Sequence, residues 1–375
     1  MVRYRFIALG VTVVGLLGLS EGRASLHHPD EPLAVPVNAQ GVPEPLPFDE
    51  FGRRRLVLMN AGNADWPLAR PHPNDPTKMV RSDRGVLKDR IDARLKMAKR
   101  TQEESVALAV DLLRFGRPDD ADGTLVGKQR QGYLGNVTLA HIAAAQASPS
   151  DPKTRDWSRA FAFLSFANEE TPPKTFPGLT PQQLAWQVKL NNGALLKFFR
   201  LRMDEARTTH VPENELPDAI FPVDFKNTVD GALAPAERAK LPPDALATVQ
   251  QLVLWFPHDT RLYWLLAEVY AARGEFAAAE RIMNECVQSL GYSNRKVLMQ
   301  HREAVAKVAK DTAPPPDDPL FGGGDKPADL PTAQPKWWLT MNAVWVYFGA
   351  VGLIALFALY RALTKKPNPN RTRIG

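Results

Sequence analysis

Apolar residues recur at three- and four-residue spacing over most of the chain between residues 84 and 310, the period of amphipathic α-helices. The signals that end helices are clearest after residue 244, where Pro257, Gly274 and Gly291 each close a periodic run. The predicted helices are 84–115, 131–147, 154–169, 181–207, 245–256, 260–273 and 276–290. The expected fold class is therefore all-α, with one helical domain at 81–310.

Two stretches beside this domain lack the helical period and are rich in proline. Residues 25–80 are expected to form a Pro-rich arm wrapped on the domain. Residues 311–336 hold three consecutive prolines and three consecutive glycines, which predict an extended stalk.

The first 24 residues have the pattern of an export signal. Arg3 and Arg5 precede an uncharged apolar run from Phe6 to Leu19, and small residues follow at Gly22 and Ala24. The run would measure about 21 Å as a helix, too short for a hydrocarbon core of about 30 Å. A signal peptide at 1–24 is expected, with an uncleaved anchor helix as the alternative.

A second apolar run, Trp337 to Tyr360, contains 24 residues without a charge. As a helix it would measure about 36 Å, enough to cross a bilayer with some tilt. Residues 361–375 are basic and contain no acid, which favours a cytoplasmic tail. The sequence thus predicts a single-pass cell-membrane protein whose bulk lies outside the cytoplasm, in the periplasm or the extracellular space.

The net charge of +6 does not indicate a nucleic-acid partner once it is placed along the chain. Residues 25–335 contain 38 Lys and Arg against 40 Asp and Glu, so the excess comes from the segments that flank the two apolar runs. The single cysteine, Cys286, excludes an intramolecular disulfide and a cysteine-based metal site. It is expected in the core, with pairing to another chain as the alternative.

No motif of an enzyme or a cofactor site is present: the sequence has no phosphate-binding glycine loop, zinc-protease helix, serine nucleophile elbow or haem attachment motif. His27 and His28 could bind a metal, but a polar chain end explains them as well. The acidic triplet Asp119, Asp120 and Asp122 lacks the glutamate of a calcium loop and is expected to be a solvated turn. We therefore expect no catalytic residue, no metal and no cofactor.

The run from Thr260 to Arg281 resembles a tetratricopeptide repeat (TPR), a pair of antiparallel helices whose close approach requires small residues. Similar but weaker patterns occur around Ala140 and Ala160. The resemblance implies a partly degenerate solenoid of helical hairpins, and a generic helical array is the alternative. The residues that define the repeat are Leu266, Ala267, Tyr270, Gly274, Phe276 and Ala279.

In this family the first helix of each pair lines a concave groove, and the resemblance places Arg261, Trp264 and Glu268 on that face. Tryptophan and arginine anchor partners well, although Trp264 could instead pack on a neighbouring helix. The predicted function is a membrane-anchored extracytoplasmic scaffold that holds a protein or peptide partner. A structural subunit bound through Trp337–Tyr360, or an enzyme with an unrecognised site, is the alternative.

Overall fold

The computed structural model describes residues 35–72, 74–147, 157–176, 179–205, 207–208 and 211–312. The predicted signal peptide at 1–24, the membrane helix at 337–360 and the basic tail at 361–375 lie outside these residues. So does the stalk, apart from its first two positions, and so do residues 25–34 of the arm. The described part of the chain is mostly helical, which confirms the expected all-α class.

The first half of the domain contains six helices and a two-stranded antiparallel ribbon. The ribbon pairs Ala69 with Arg81 and Arg70 with Val80. The elements are α1 (Phe48–Gly62), β1 (Ala69–His72), β2 (Asp75–Arg81), α2 (Asp83–Leu95), α3 (Gln102–Arg114), α4 (Pro118–Thr124), α5 (Gly132–Gln146) and α6 (Trp157–Glu169).

The second half continues in the same way, with a shorter two-stranded ribbon between its helices. A π-helical turn at Asn191–Leu195 joins the first two helices without a break. The elements are α7 (Pro181–Leu190), α8 (Leu196–Glu205), β3 (Thr228–Val229), β4 (Ala232–Leu233), α9 (Pro235–Arg238), α10 (Ala245–Trp255), α11 (Thr260–Ala272), α12 (Phe276–Gln288) and α13 (Lys296–Thr312).

Two differences from the predicted helices have identifiable causes, a local cap in one case and tertiary packing in the other. The expected helix 84–115 is two helices, because Thr101 caps α3: its Oγ1 accepts from the Glu104 amide at 3.2 Å, and the Glu104 carboxylate accepts from the Thr101 amide at 2.8 Å. Helix α1 lies inside the stretch predicted to be an arm. It forms because Phe51 and Leu58, which lie on one face of the helix, are both buried.

Two pairs of consecutive helices pack on each other in the stretches that carry the repeat pattern. Helix α5 packs on α6 and α11 packs on α12. Ala140, Ala160, Ala267 and Ala279 are fully buried. Gly274 has φ +82°, the left-handed conformation that ends α11.

Helix α1 joins the first half of the domain to the second. It packs on α2, α3 and α10. The Arg55 guanidinium lies 3.7 Å from the centroid of the Tyr263 ring, donates to the Pro257 carbonyl at 3.2 Å and pairs with Glu285 at 2.7 Å. These contacts tie α1 to α11 and α12 through one buried side chain.

Candidate partner-binding sites

The three predicted groove residues lie on one face of α11, but that face is covered. Trp264 is 0% exposed, and the side chains of Glu268 and Arg261 are 3% and 19% exposed. The expectation that they face an open groove is therefore wrong for the described chain. The cause is long-range packing: residues 211–233, the cover segment, and α13 lie over this face of α11.

An ionic cluster joins the cover segment to α8 and α11. Arg202 donates to both carboxylate oxygens of Asp218 at 2.9 and 2.7 Å and lies 3.0 Å from Asp259. Arg261 reaches the same Asp218 at 2.8 Å and also pairs with Glu205. Burial alone would raise the pKa of Asp218, but Arg202 and Arg261 outweigh it and hold that pKa below its ordinary value.

The cover segment is attached at two further points. Glu215 pairs with Arg261 at 3.0 Å and with Arg295 at 2.8 Å. Gly231, with φ +74°, lies so close to α13 that a Cβ there would come within 2.9 Å of the backbone of Ala304. Paired charges at one end and close backbone packing at the other make this segment part of the folded core.

The remaining groove residues make a buried polar chain. The Trp264 indole Nε1 donates to Glu268 Oε1 at 2.9 Å, and His301 Nδ1 lies 2.9 Å from the same oxygen. The Trp264 ring also packs on Tyr292, with ring centroids 5.9 Å apart. Desolvation alone would lower the pKa of His301, but Glu268 outweighs it and raises that pKa.

A second site, on α10, holds a non-helical part of the chain itself. Gln250 accepts from the Leu46 amide at 2.7 Å and donates to the Leu46 carbonyl at 2.9 Å, so one side chain satisfies both backbone groups of that residue. Gln251 accepts from the Val35 amide at 2.9 Å. We name Gln250 and Gln251, with Tyr270, which accepts from Gln250 at 2.9 Å, the backbone clamp.

The segment in the clamp is residues 35–47, and the arm means these residues from here on. It has two buried anchors with a turn between them. Val35 and Leu46 are buried among apolar side chains. Between them, the Asn38 side chain accepts from the amides of Gln40 and Val42, both at 3.0 Å, and closes the turn. The arm therefore binds the domain through two aliphatic side chains and through its backbone.

Sequence reasoning missed the backbone clamp, although a signal is present. Helix α10 is buried along its whole length and is apolar except for Thr248, Gln250 and Gln251. A buried amide side chain requires hydrogen-bond partners, so two adjacent glutamines in such a helix indicate a backbone to be satisfied. The sequence around Gln250 could not show which residue's backbone would be bound, because Leu46 lies 204 positions away.

The other candidate residues have structural partners. Asp120 pairs with Arg117, Asp122 with Arg130 and Asp119 with Gln146, around the short helix α4. Within the described ranges, no three His, Cys, Asp or Glu side chains come together as a metal site would need. Cys286 is buried, as predicted, and burial raises the pKa of its thiol to about 12.

None of the helices that the structure describes combines the length and the apolar character needed to cross a bilayer. Comparison of the chain with protein families, characterised proteins and solved structures finds no match.

Proposed function

We propose that the protein is a membrane-anchored, extracytoplasmic interaction scaffold that holds a non-helical segment of a protein or peptide partner on a TPR-like helical domain. One observation carries the proposal: Gln250 binds both the amide and the carbonyl of Leu46, so the helical domain already holds a non-helical segment by its backbone. The signal peptide and the membrane helix expected from the sequence supply the location.

Recognition by a backbone clamp suits a scaffold. Hydrogen bonds to the main chain tolerate many sequences, and apolar anchors such as Val35 and Leu46 then select among them. The ligand class that this geometry favours is a peptide that can form a similar turn and has an aliphatic side chain at the position of Leu46. In the protein on its own, the arm occupies the site, so a partner segment competes with it.

The TPR-like character of the domain belongs to the same proposal. It is supported by the α11–α12 hairpin, by the buried Leu266, Ala267 and Tyr270, and by Gly274 at the turn. The usual concave face of such a repeat is filled here by the cover segment. The proposed partner site is therefore the backbone clamp on α10, with Tyr270 from α11, instead of the concave face of α11.

A peptide-binding experiment tests the proposal. A fluorescent peptide carrying residues 33–48 is titrated against the full-length wild type and against Leu46→Ala, whose own arm is weakened by about 2–5 kcal/mol. We expect the variant to bind the peptide at least about tenfold more tightly, because a tethered segment competes at an effective concentration near the millimolar range.

Two controls make the result decisive. The same peptide with Leu46→Asp should not bind Leu46→Ala protein, since the charge cannot enter the apolar site, and this control leaves the protein unchanged. Adding Gln250→Ala to the variant should abolish binding while the far-ultraviolet circular dichroism is kept. Equal weak binding of both peptides to a folded Leu46→Ala protein would contradict the proposal.

A further inference from the structure

The β1–β2 ribbon differs from the rest of the domain in its exposure. Most of its residues are exposed, and Met79 at its surface is 62% exposed. Val86, on the adjacent first turn of α2, is 51% exposed. Within the described residues the ribbon has only its two strands, an arrangement that is marginal in water without other support.

The base of the ribbon supplies that support. The Ser82 amide donates to the Leu68 carbonyl at 3.1 Å, and its hydroxyl donates to the Pro67 carbonyl at 2.5 Å. Gly85 has no side chain, and a Cβ there would overlap the Leu68 carbonyl oxygen. Arg81 pairs with Asp89 on α2 at 3.0 Å. The base of the ribbon is therefore fixed to α2.

The same region carries the positive charge of the domain. Residues 69–100 contain ten Lys and Arg against four Asp, an excess of six, although residues 25–335 as a whole have two more acids than bases. Some of these cations act internally, as Arg84 does toward the Ala61 carbonyl. Arg70, Lys78 and Arg81 on the ribbon are exposed. The ion pairs of Lys78 and Arg81 are at the surface, where such pairs are weak.

We propose that the ribbon is a binding surface for an anionic phospholipid membrane. The register places Arg70 and Lys78 on one face of the ribbon and Met79 and Arg81 on the other. The ribbon would therefore enter the membrane edge-on, with cations of both faces among the headgroups and Met79 at the boundary between headgroups and acyl chains. Basic side chains are attracted to the surface of an anionic bilayer, and buried apolar side chains strengthen the binding. The chemistry required is a negatively charged, deformable surface with an apolar layer beneath it.

Lipid is favoured over an acidic protein because the predicted anchor keeps a bilayer within reach. Only 24 residues separate Thr312, the end of α13, from Trp337, the start of the predicted membrane helix. Even fully extended, they span no more than about 80–86 Å. The inference therefore rests on the predicted anchor, but it does not depend on the backbone clamp.

Hydrogen exchange on the full-length protein in lipid nanodiscs tests this inference. Discs of phosphatidylcholine alone are compared with discs containing a third phosphatidylglycerol. We expect the amides of residues 69–81 to exchange about tenfold or more slowly in the anionic discs, and this protection to disappear in 0.5 M salt, as electrostatic binding requires. Residues 36–46 serve as an internal reference.

Matched variants locate the surface. Arg70→Gln with Lys78→Gln should lose the protection, whereas Lys307→Gln with Lys310→Gln, which removes two cations from α13, should keep it. Equal exchange in neutral and anionic discs would overturn the proposal, and an acidic protein would then be the partner to consider. Protection that persists in the Arg70 and Lys78 variant would overturn the assignment to the ribbon.

Discussion

The charged side chains on the covered face of α11 are largely buried, whereas those on the β1–β2 ribbon are exposed. On α11, Arg261 lies under the cover segment and shares Asp218 with Arg202. On the ribbon, Lys78 is 76% exposed, and its partner Asp75 lies at the surface beside it. Breaking one of the buried ion pairs on α11 leaves an unpaired buried charge and costs much stability, whereas the charges of a broken pair on the ribbon are solvated by water at little cost.

This difference separates residues that build the domain from residues free to bind something else. The residues expected to anchor a partner, Trp264 and Arg261, lie on the covered face of α11, where they contact other parts of the chain. The ribbon has fewer residues of these types, but they are accessible to a partner. A tryptophan or arginine in the sequence therefore indicates that the side chain makes a strong contact, and its burial in the structure shows whether that contact is made within the chain.

The largest expected effect comes from Trp264→Ala. Removing a fully buried tryptophan should lower the free energy of unfolding by about 3–5 kcal/mol, because it leaves a cavity and takes a hydrogen bond from Glu268. Phe166→Ala, at a side chain that is 53% exposed, should change it by no more than about 0.5 kcal/mol. Chemical unfolding followed at 222 nm measures both. A similarly small loss of unfolding free energy in both variants would show that Trp264 is exposed in an open groove.

Asp218→Asn tests the ionic cluster with almost no change of shape. It leaves Arg202 and Arg261 buried without their shared carboxylate, which should cost about 3–5 kcal/mol of stability. Asp75→Asn, which breaks the exposed pair with Lys78, should cost less than about 1 kcal/mol. An equal, small loss for both variants would show that the cover segment is not held by charge.

Gly85→Ala tests how the ribbon is attached. The new methyl group would overlap the Leu68 carbonyl, so the ribbon base must move, and we expect a loss of about 1–3 kcal/mol. Gly52→Ala is the matched control: Gly52 lies in α1, where an added Cβ would meet nothing within 4 Å, and alanine there should be neutral or stabilising. Proteolysis in the ribbon should increase only for Gly85→Ala.

The smallest effect is a pH dependence from His301. Its pKa in the folded protein is raised above 6.5 by Glu268, so its contribution to stability is complete below about pH 6.5 and is lost as the pH rises through the folded-state pKa. His301→Gln should remove this fall. His258, whose pKa is lowered chiefly by burial, acts in the opposite sense in both proteins, so the difference between their profiles isolates His301. Parallel profiles would exclude an ion pair with Glu268.

The elements that could be predicted from the sequence depend on local chemistry. Helices α10, α11 and α12 begin and end within about two residues of expectation, because Pro257, Gly274 and Gly291 stop them wherever the chain folds. Helix α1 was missed because prolines surround it and its apolar face is short. Its stability comes from packing on α2, α3 and α10, which no local pattern contains.

The candidate sites were harder to predict because distant residues decide them. The repeat pattern correctly placed Arg261, Trp264 and Glu268 on one helix. Nothing near them showed that Asp218 and His301 would close over that face. The backbone clamp was also decided by a distant residue: its two glutamines are adjacent on α10, but the backbone that they bind is in the arm.

Hydrogen exchange of the arm, compared with the cover segment, tests most directly the claim that one segment is exchangeable and the other is core. In the full-length protein, increasing the concentration of the 33–48 peptide should accelerate exchange of the Leu46 amide, which Gln250 protects, as the peptide replaces the arm. Residues 211–233 should exchange at the same slow rate throughout. If the Leu46 amide stays as protected as the cover segment at every peptide concentration, the arm is a fixed part of the fold and the scaffold proposal is contradicted.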